Sequence, residues 1–260
     1  MTYNYHAHTY RCSHATGTEE EYIRRAIQGG ITHMGFSEHC PLRFSDGSES
    51  SYRLPTGLMT DYFSTLQALR EQYRGQIDLK IGIEMEYYPR HFETMLNSVL
   101  EAGCEYLLLG QHFIHSTETD EGTYSAVVNE NPRDLQEYVS CILSGMETGL
   151  FTYVAHPDIF RFSGSDELYC REMRKICVAS RERNIPLEIN LLGIRDNRWY
   201  PRSLFWQMAG EEQSPVTFGF DSHDTAAAYD SASLPAAEAM VKKYRLNYIG
   251  EPKLVLLQKP

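Results

Sequence analysis

The chain of 260 residues carries a formal charge of −11, which disfavours non-specific attraction to nucleic acid because such binding rests on basic faces that neutralise phosphates. Hydrophobic residues make up 42% and charged residues 23%, the balance of an ordinary globular chain, and no apolar run reaches the roughly 18 residues that a membrane span requires. The opening residues, Met1 to His6, lack a basic stretch followed by an apolar one, so no secretory signal is read and a cytoplasmic location is expected.

Single (β/α) barrels run to roughly 250 residues, so one domain over residues 1–260 is expected. Short apolar or β-branched runs alternate with longer amphipathic segments along the whole chain, the pattern of successive βα units. The first strand is read at residues 3–7, followed by a helix at 19–28. Thr18 before Glu19, Glu20 and Glu21 supplies an N-cap oxygen and acids for the positive helix end. A strand at 33–37 leads through the polar stretch 41–57 to a helix at 58–73. The third and fourth strands, 79–83 and 106–110, flank a helix at 90–102. Residues 116–131, like 41–57, are too long for a tight barrel connection and are expected to be active-site loops. A helix at 132–148 with Pro132 in its first turn precedes a strand at 151–155 and a helix at 166–183. The last units are a strand at 187–189, a helix at 201–209 with Pro201 in its first turn, a strand at 216–220 and a helix at 234–243. Seven strands and seven helices of this order predict an α/β fold, a distorted (β/α)7 barrel resembling a TIM barrel. The six cysteines form no CxxC pair, which argues against a zinc ribbon or a redox centre and predicts buried thiols.

Histidines and acids recur where these strands end. His6 and His8 close the first strand, His39 the second, Glu84 the third, His112 follows the fourth, His156 ends the fifth, and Asp221 and His223 follow the seventh. In a (β/α) barrel the carboxyl ends of the strands converge on one face, so these side chains are predicted to meet. Nitrogen and oxygen donors without thiolate suit Zn, Fe, Mn or Co, and their number exceeds what one ion takes, implying two or three divalent ions. Gly82-Ile83-Glu84-Met85-Glu86 offers two acids on one side of an extended chain; Glu84 is read as the ligand and Glu86 as its supporting partner. His33 and His91 are read as structural or solvated, and His115 as lining the pocket without binding metal.

As an ordered set, His6-Ala7-His8-Thr9, Cys12-Ser13-His14, Gly35 to His39, Gly82 to Glu84, Gln111-His112, His156-Pro157-Asp158 with Arg161, and Asp221-Ser222-His223 resemble the PHP superfamily of phosphoesterases, within it the histidinol-phosphate phosphatase branch. The resemblance spans the chain and implies a seven-stranded distorted barrel with a trinuclear metal site. Carried over by motif, His6, His8, Glu84 and Asp221 would hold one ion, Glu84, His112 and His156 a second, and His14, His39 and His223 a third.

The function this implies is metal-dependent hydrolysis of L-histidinol phosphate to L-histidinol and phosphate, a step of histidine biosynthesis, by attack of a metal-bridging hydroxide. The narrower substrate rests on the contexts Cys12 to Thr18 and Phe36 to Pro41, with the length and lone domain. Arg161, just past His156-Pro157-Asp158, is expected to clamp the phosphoryl group, and Arg195 to contact substrate or support its loop. The expected partner is a small phosphomonoester, with no nucleic acid and no membrane, and nothing in the sequence sets an oligomeric state. The alternatives are a related phosphatase of another small monoester or nucleotide, and a metal-binding or regulatory protein without turnover.

Overall fold

The computed structural model describes residues 1–258. In chain order the strands are β1 (Tyr3–Asn4), β2 (His33–His39), β3 (Asp78–Met85), β4 (Tyr106–Leu109), β5 (Phe113–Ile114), β6 (Thr123–Tyr124), β7 (Phe151–Val154), β8 (Leu187–Asn190), β9 (Pro215–Gly219) and β10 (Asn247–Tyr248). The helices are α1 (Glu19–Gln28), α2 (Met59–Gln72), α3 (Phe92–Ala102), α4 (Pro132–Glu147), α5 (Asp166–Arg183), α6 (Leu191–Arg195), α7 (Ser203–Glu212) and α8 (Leu234–Tyr244). All pairs in the main sheet, of order β1-β2-β3-β4-β7-β8-β9-β10, are parallel, as crossover helices between strands dictate. β5 and β6 form a separate antiparallel hairpin, β5 just ahead of the loop expected at 116–131 and β6 within it.

The sheet curls until its ends meet. Ala7 bridges Ser222, with the His8 amide donating to Ser222 O at 2.9 Å and the Ser222 amide donating to His6 O at 3.2 Å. Further down, β10 rather than β1 takes the edge of β9. That eighth strand, a two-residue wedge that propensity alone does not reveal, makes the barrel uneven: closed at the carboxyl end of its strands and spread at the other.

Period-2 alternation sorts the side chains. Ile81, Ile83 and Met85 of β3, Leu107 and Leu109 of β4, and Val216 and Phe218 of β9 face the helices and join the large outer core. A small inner cluster of Tyr3, Tyr5, Tyr106, Leu108, Tyr153 and Ala155 plugs the barrel below the site. The Tyr106 hydroxyl donates to Tyr5 O and Phe36 O, and its ring occupies the space a Cβ would need at Gly35 and Gly82, so two strands carry glycine where this ring crosses them. Thr18 caps α1 in a reciprocal capping box with Glu21. Pro132 starts α4 as expected, but Pro201 lies ahead of α7, whose N-cap is Arg202. No disulfide joins the cysteines; Cys170 alone is partly exposed and the other five are buried.

Candidate metal centre

The first strand departs from simple alternation in a way that builds the site. β1 ends at Asn4, and Tyr5 packs in the inner plug while the next residue, His6, already lies against Glu84 and Asp221. The Asn4 side-chain oxygen accepts from the His6 amide at 3.1 Å, supporting the turn in the chain. Regular spacing resumes at His6, Ala7 and His8, with Ala7 in the outer core. On β3, β8 and β9 the inward rows bring Glu84, then Glu188 and Asn190, then Asp221 to the same level.

Glu84 is 1% exposed and is ringed by imidazoles. Its Oε2 lies 3.5 Å from His6 Nε2, 3.4 Å from His8 Nε2 and 3.0 Å from His39 Nδ1. Its Oε1 lies 3.4 Å from His112 Nε2 and 2.9 Å from His156 Nε2. Asp221 Oδ1 is 3.4 Å from His6 Nε2, 3.5 Å from His8 Nε2 and 3.3 Å from His223 Nδ1. His14 and His223 meet at 3.1 Å between Nε2 atoms, and the His14 ring stacks 5.1 Å from that of His39. The structure therefore brings all nine sequence-predicted candidates, His6, His8, His14, His39, Glu84, His112, His156, Asp221 and His223, into one cluster. A Cβ at Gly110 would collide with the Glu84 carboxylate, so glycine is required where β4 passes it.

The donor atoms suit divalent cations. His6 Nε2, both His8 nitrogens, both Glu84 oxygens and His156 Nδ1 are buried with no hydrogen-bond partner among the described residues, a costly arrangement in an apolar interior unless a ligand takes the lone pairs. Donors of His6, His8 and Asp221, of His6, Glu84 and His156, and of His8, His39 and His223 each converge within 4.8 Å. Burial, with the crowding of imidazole on imidazole, holds the His8 and His39 pKa values well below their usual range, so both rings are neutral. Burial opposes charge on Glu84 and Asp221, yet the surrounding histidines outweigh it and hold both carboxyls well below the usual range. Neutral His8 and His39 beside ionised Glu84 and Asp221 are in the protonation states metal binding requires, whereas without a cation burial is outweighed by the carboxylates, which raise the pKa of His6 and His112.

Two further acids orient these side chains, and a third lies beside them. His6 Nδ1 donates to Glu188 Oε1 at 2.7 Å, and His112 Nδ1 donates to Glu86 Oε1 at 2.9 Å. Glu188 Oε2 also accepts the His156 amide at 3.0 Å. Glu38 Oε1 accepts from the Thr9 amide while its Oε2 lies 3.7 Å from His8 Nδ1; burial pushes this carboxyl up to about 7. Glu86 thus has the supporting place expected of it. Glu38 and Glu188 escape sequence reading, although the inward position of each on its strand is a signal alternation could supply.

A cavity of about 390 Å³ opens above the cluster, lined among others by Tyr52, Tyr124, Arg195, Arg198, Tyr200 and Asp224. Both long connections expected to be active-site loops contribute, through Tyr52 and Tyr124. Arg195 reaches the cavity but is tied to Asp230 at 3.0 Å. The structure does not bring the Arg161 guanidinium into the cavity: the side chain is exposed and lies 4.9 Å over the Trp199 ring. Its backbone is nonetheless close, with the Arg161 amide donating to Ser125 O and the Ser125 amide donating to His112 O. His115, expected to line the pocket, is instead exposed and pairs with Asp134, because its left-handed backbone turns it out of the hairpin. His33 pairs with Glu251, and His91 donates to Thr117 O, both away from the cluster.

A parallel barrel with histidines and carboxylates gathered at its closed end defines a class of metal-dependent hydrolases. Residues 4–191 match the PHP domain, and the chain belongs to that family. Among curated relatives it is 26% identical to the probable histidinol-phosphatase of Deinococcus radiodurans over 229 residues, 84% of this chain and 85% of that protein. It is 25% identical to the histidinol-phosphatase of Bacillus subtilis over 262 residues, 87% of this chain and 96% of that one. Its fold is similar to the crystal structure of histidinol phosphate phosphatase from Lactococcus lactis in complex with zinc, L-histidinol and phosphate, with a TM-score of 0.69, 20% identity and 95% coverage of each chain. Among the described residues no helix is long and apolar enough to cross a membrane.

Proposed function

We propose that this protein is a metal-dependent phosphomonoesterase, a single catalytic domain that hydrolyses L-histidinol phosphate to L-histidinol and phosphate. The observation that carries this reading is Glu84, whose two oxygens lack hydrogen-bond partners while five imidazoles surround them. Two or three divalent ions of the Zn, Fe, Mn or Co type fit these donors. His6, His8 and His39 face one Glu84 oxygen, with Asp221 beside His6 and His8, His112 and His156 face the other, and His14 and His223 complete the set towards the cavity. When bound, the ions would polarise the phosphoryl group and lower the pKa of water towards about 7.

The residues of the chain do the rest. Glu188 and Glu86 hold the His6 and His112 rings with one nitrogen committed and the other turned inward. Among the described residues Arg161 has no carboxylate within salt-bridge distance, whereas Arg195 and Arg198 are paired with Asp230 and Asp196; a guanidinium resting on an indole face is free to turn to an anion. Arg161 therefore supplies phosphoryl contact from the rim, with Arg195 and Arg198 lining the approach. Tyr52 and Tyr124 present aromatic faces to the flat imidazole of the substrate. Phosphate release from a panel of monoesters, with and without chelator, tests the reading. Chelator-sensitive release with histidinol phosphate preferred is expected; preference for a nucleotide or sugar phosphate would replace the substrate, and no release from any member would remove the activity.

A further inference from the structure

Arg53 is 3% exposed although Ser51 and Tyr52 beside it face solvent. Burying a guanidinium costs several kcal/mol unless it is paired and its donors are filled, and here four of the five N–H groups have partners. Nη1 donates to Glu86 Oε2 at 2.7 Å and to Cys40 O at 3.0 Å, Nη2 donates to the Tyr88 hydroxyl at 3.2 Å, and Nε donates to Glu121. One side chain from the 41–57 loop thus ties together the residue after His39, the far end of the β3 row and the β5–β6 hairpin connection.

The geometry points to Arg53 as a positioning residue that fixes His112 through Glu86 and, through Glu121, holds the hairpin with Tyr124 over the cavity, so that metal retention and substrate binding share one support. Glu86 divides its oxygens: Oε1 takes the His112 Nδ1 proton and Oε2 takes the guanidinium. A carboxylate only accepts, so in the neutral ring that binds a cation His112 Nε2 is the lone-pair nitrogen, 3.4 Å from Glu84 Oε1. Without Arg53, Glu86 would be a buried carboxylate lacking its cation, and its hold on the ring would weaken. At the other end, Glu121 lies three residues before Tyr124, which lines the cavity with Tyr52 and, with Arg53 and Glu86, an adjoining smaller pocket.

This inference rests on the metal-centre reading, and its test separates the two. Metal affinity is measured by chelator competition on Arg53→Met, Arg53→Lys and Glu121→Gln, with kcat and KM for histidinol phosphate measured alongside. Arg53→Met is expected to lower affinity for the least tightly held ion by ~10–100-fold, with Arg53→Lys regaining part of it. Glu121→Gln is expected to keep wild-type metal affinity and kcat while KM rises severalfold. Should Arg53→Met fail to fold, Glu86→Gln carries the metal arm with the same expected loss. A folded Arg53→Met with wild-type metal affinity and KM overturns the proposal, as does a Glu121→Gln that loses metal like Arg53→Met. A wild type that binds metal without releasing phosphate would refute the phosphatase reading, while the metal arm would still decide the role of Arg53.

Discussion

His6 and Glu188, 182 positions apart in the chain, are joined by a 2.7 Å hydrogen bond in which the ring Nδ1 donates and the carboxylate accepts. The bond commits Nδ1 and, once the ring is neutral, leaves Nε2 for the cluster. Burial disfavours the cationic ring, but Glu188, Asp221 and Glu84 together outweigh it and raise the His6 pKa well above the ordinary value. Replacing Glu188 with Ala is expected to weaken metal binding by ~10–100-fold, and Glu188→Gln by less, because the amide oxygen still accepts from Nδ1. Chelator competition checks both; equal losses would mean that charge, not orientation, is what Glu188 contributes.

Metal removal should destabilise the fold. A ligand that binds only the native state adds RT ln(1 + [L]/Kd), about 2.7 kcal/mol at a hundredfold excess over Kd. Treating wild type with chelator is therefore expected to lower Tm by several degrees, with recovery on adding Zn. Glu84→Gln removes the carboxylate shared by both ligand groups, so its Tm should barely respond to chelator and its turnover should fall to background. A chelator response matching the wild type in that variant would show that Glu84 is not at the centre of the site.

For Arg161 the expected result is a loss of at least tenfold in kcat/KM in Arg161→Ala with metal content unchanged, the mark of a contact made to the phosphoryl group. Steady-state kinetics paired with metal analysis decide it. Wild-type kinetics would instead assign the guanidinium to packing on Trp199 and shift the phosphate contact to Arg198.

Asp158 predicts a pH effect. Its carboxyl is 1% exposed, and burial pushes its pKa from 3.8 up to about 6 despite bonds from the Arg202 amide and Trp206 Nε1. A raised carboxyl pKa favours the protonated form in the folded state, so its contribution is most favourable below the unfolded value and declines as pH rises from about 4 to about 6, by on the order of 3 kcal/mol. Asp158→Asn does not titrate. Its Tm relative to wild type should rise across that interval; a difference independent of pH would refute the assignment.

Much of the architecture was legible because it is written locally. Seven short apolar runs with intervening amphipathic segments gave the barrel strands to within a few residues, and Thr18 and Pro132 marked helix starts where local hydrogen bonding and fixed φ decide. The wedge strand β10, the β5–β6 hairpin and the short α6 were not legible. Each is held by contacts to distant residues, such as β10 on β9, and has too few residues for its own periodicity to register.

The sequence by itself determined which side chains could bind metal and that they would share one end of a barrel, since alternation along a strand and the parallel order of strands bring strand ends together whatever the details. Only the tertiary structure decided how they are held. The pairing of His6 with Glu188, the path from Arg53 through Glu86 to His112, and the seat of Arg161 on Trp199 outside the cavity depend on loop courses and on the break in alternation at Tyr5 and His6. Those are fixed by packing between residues far apart in the chain, a quantity no local pattern encodes.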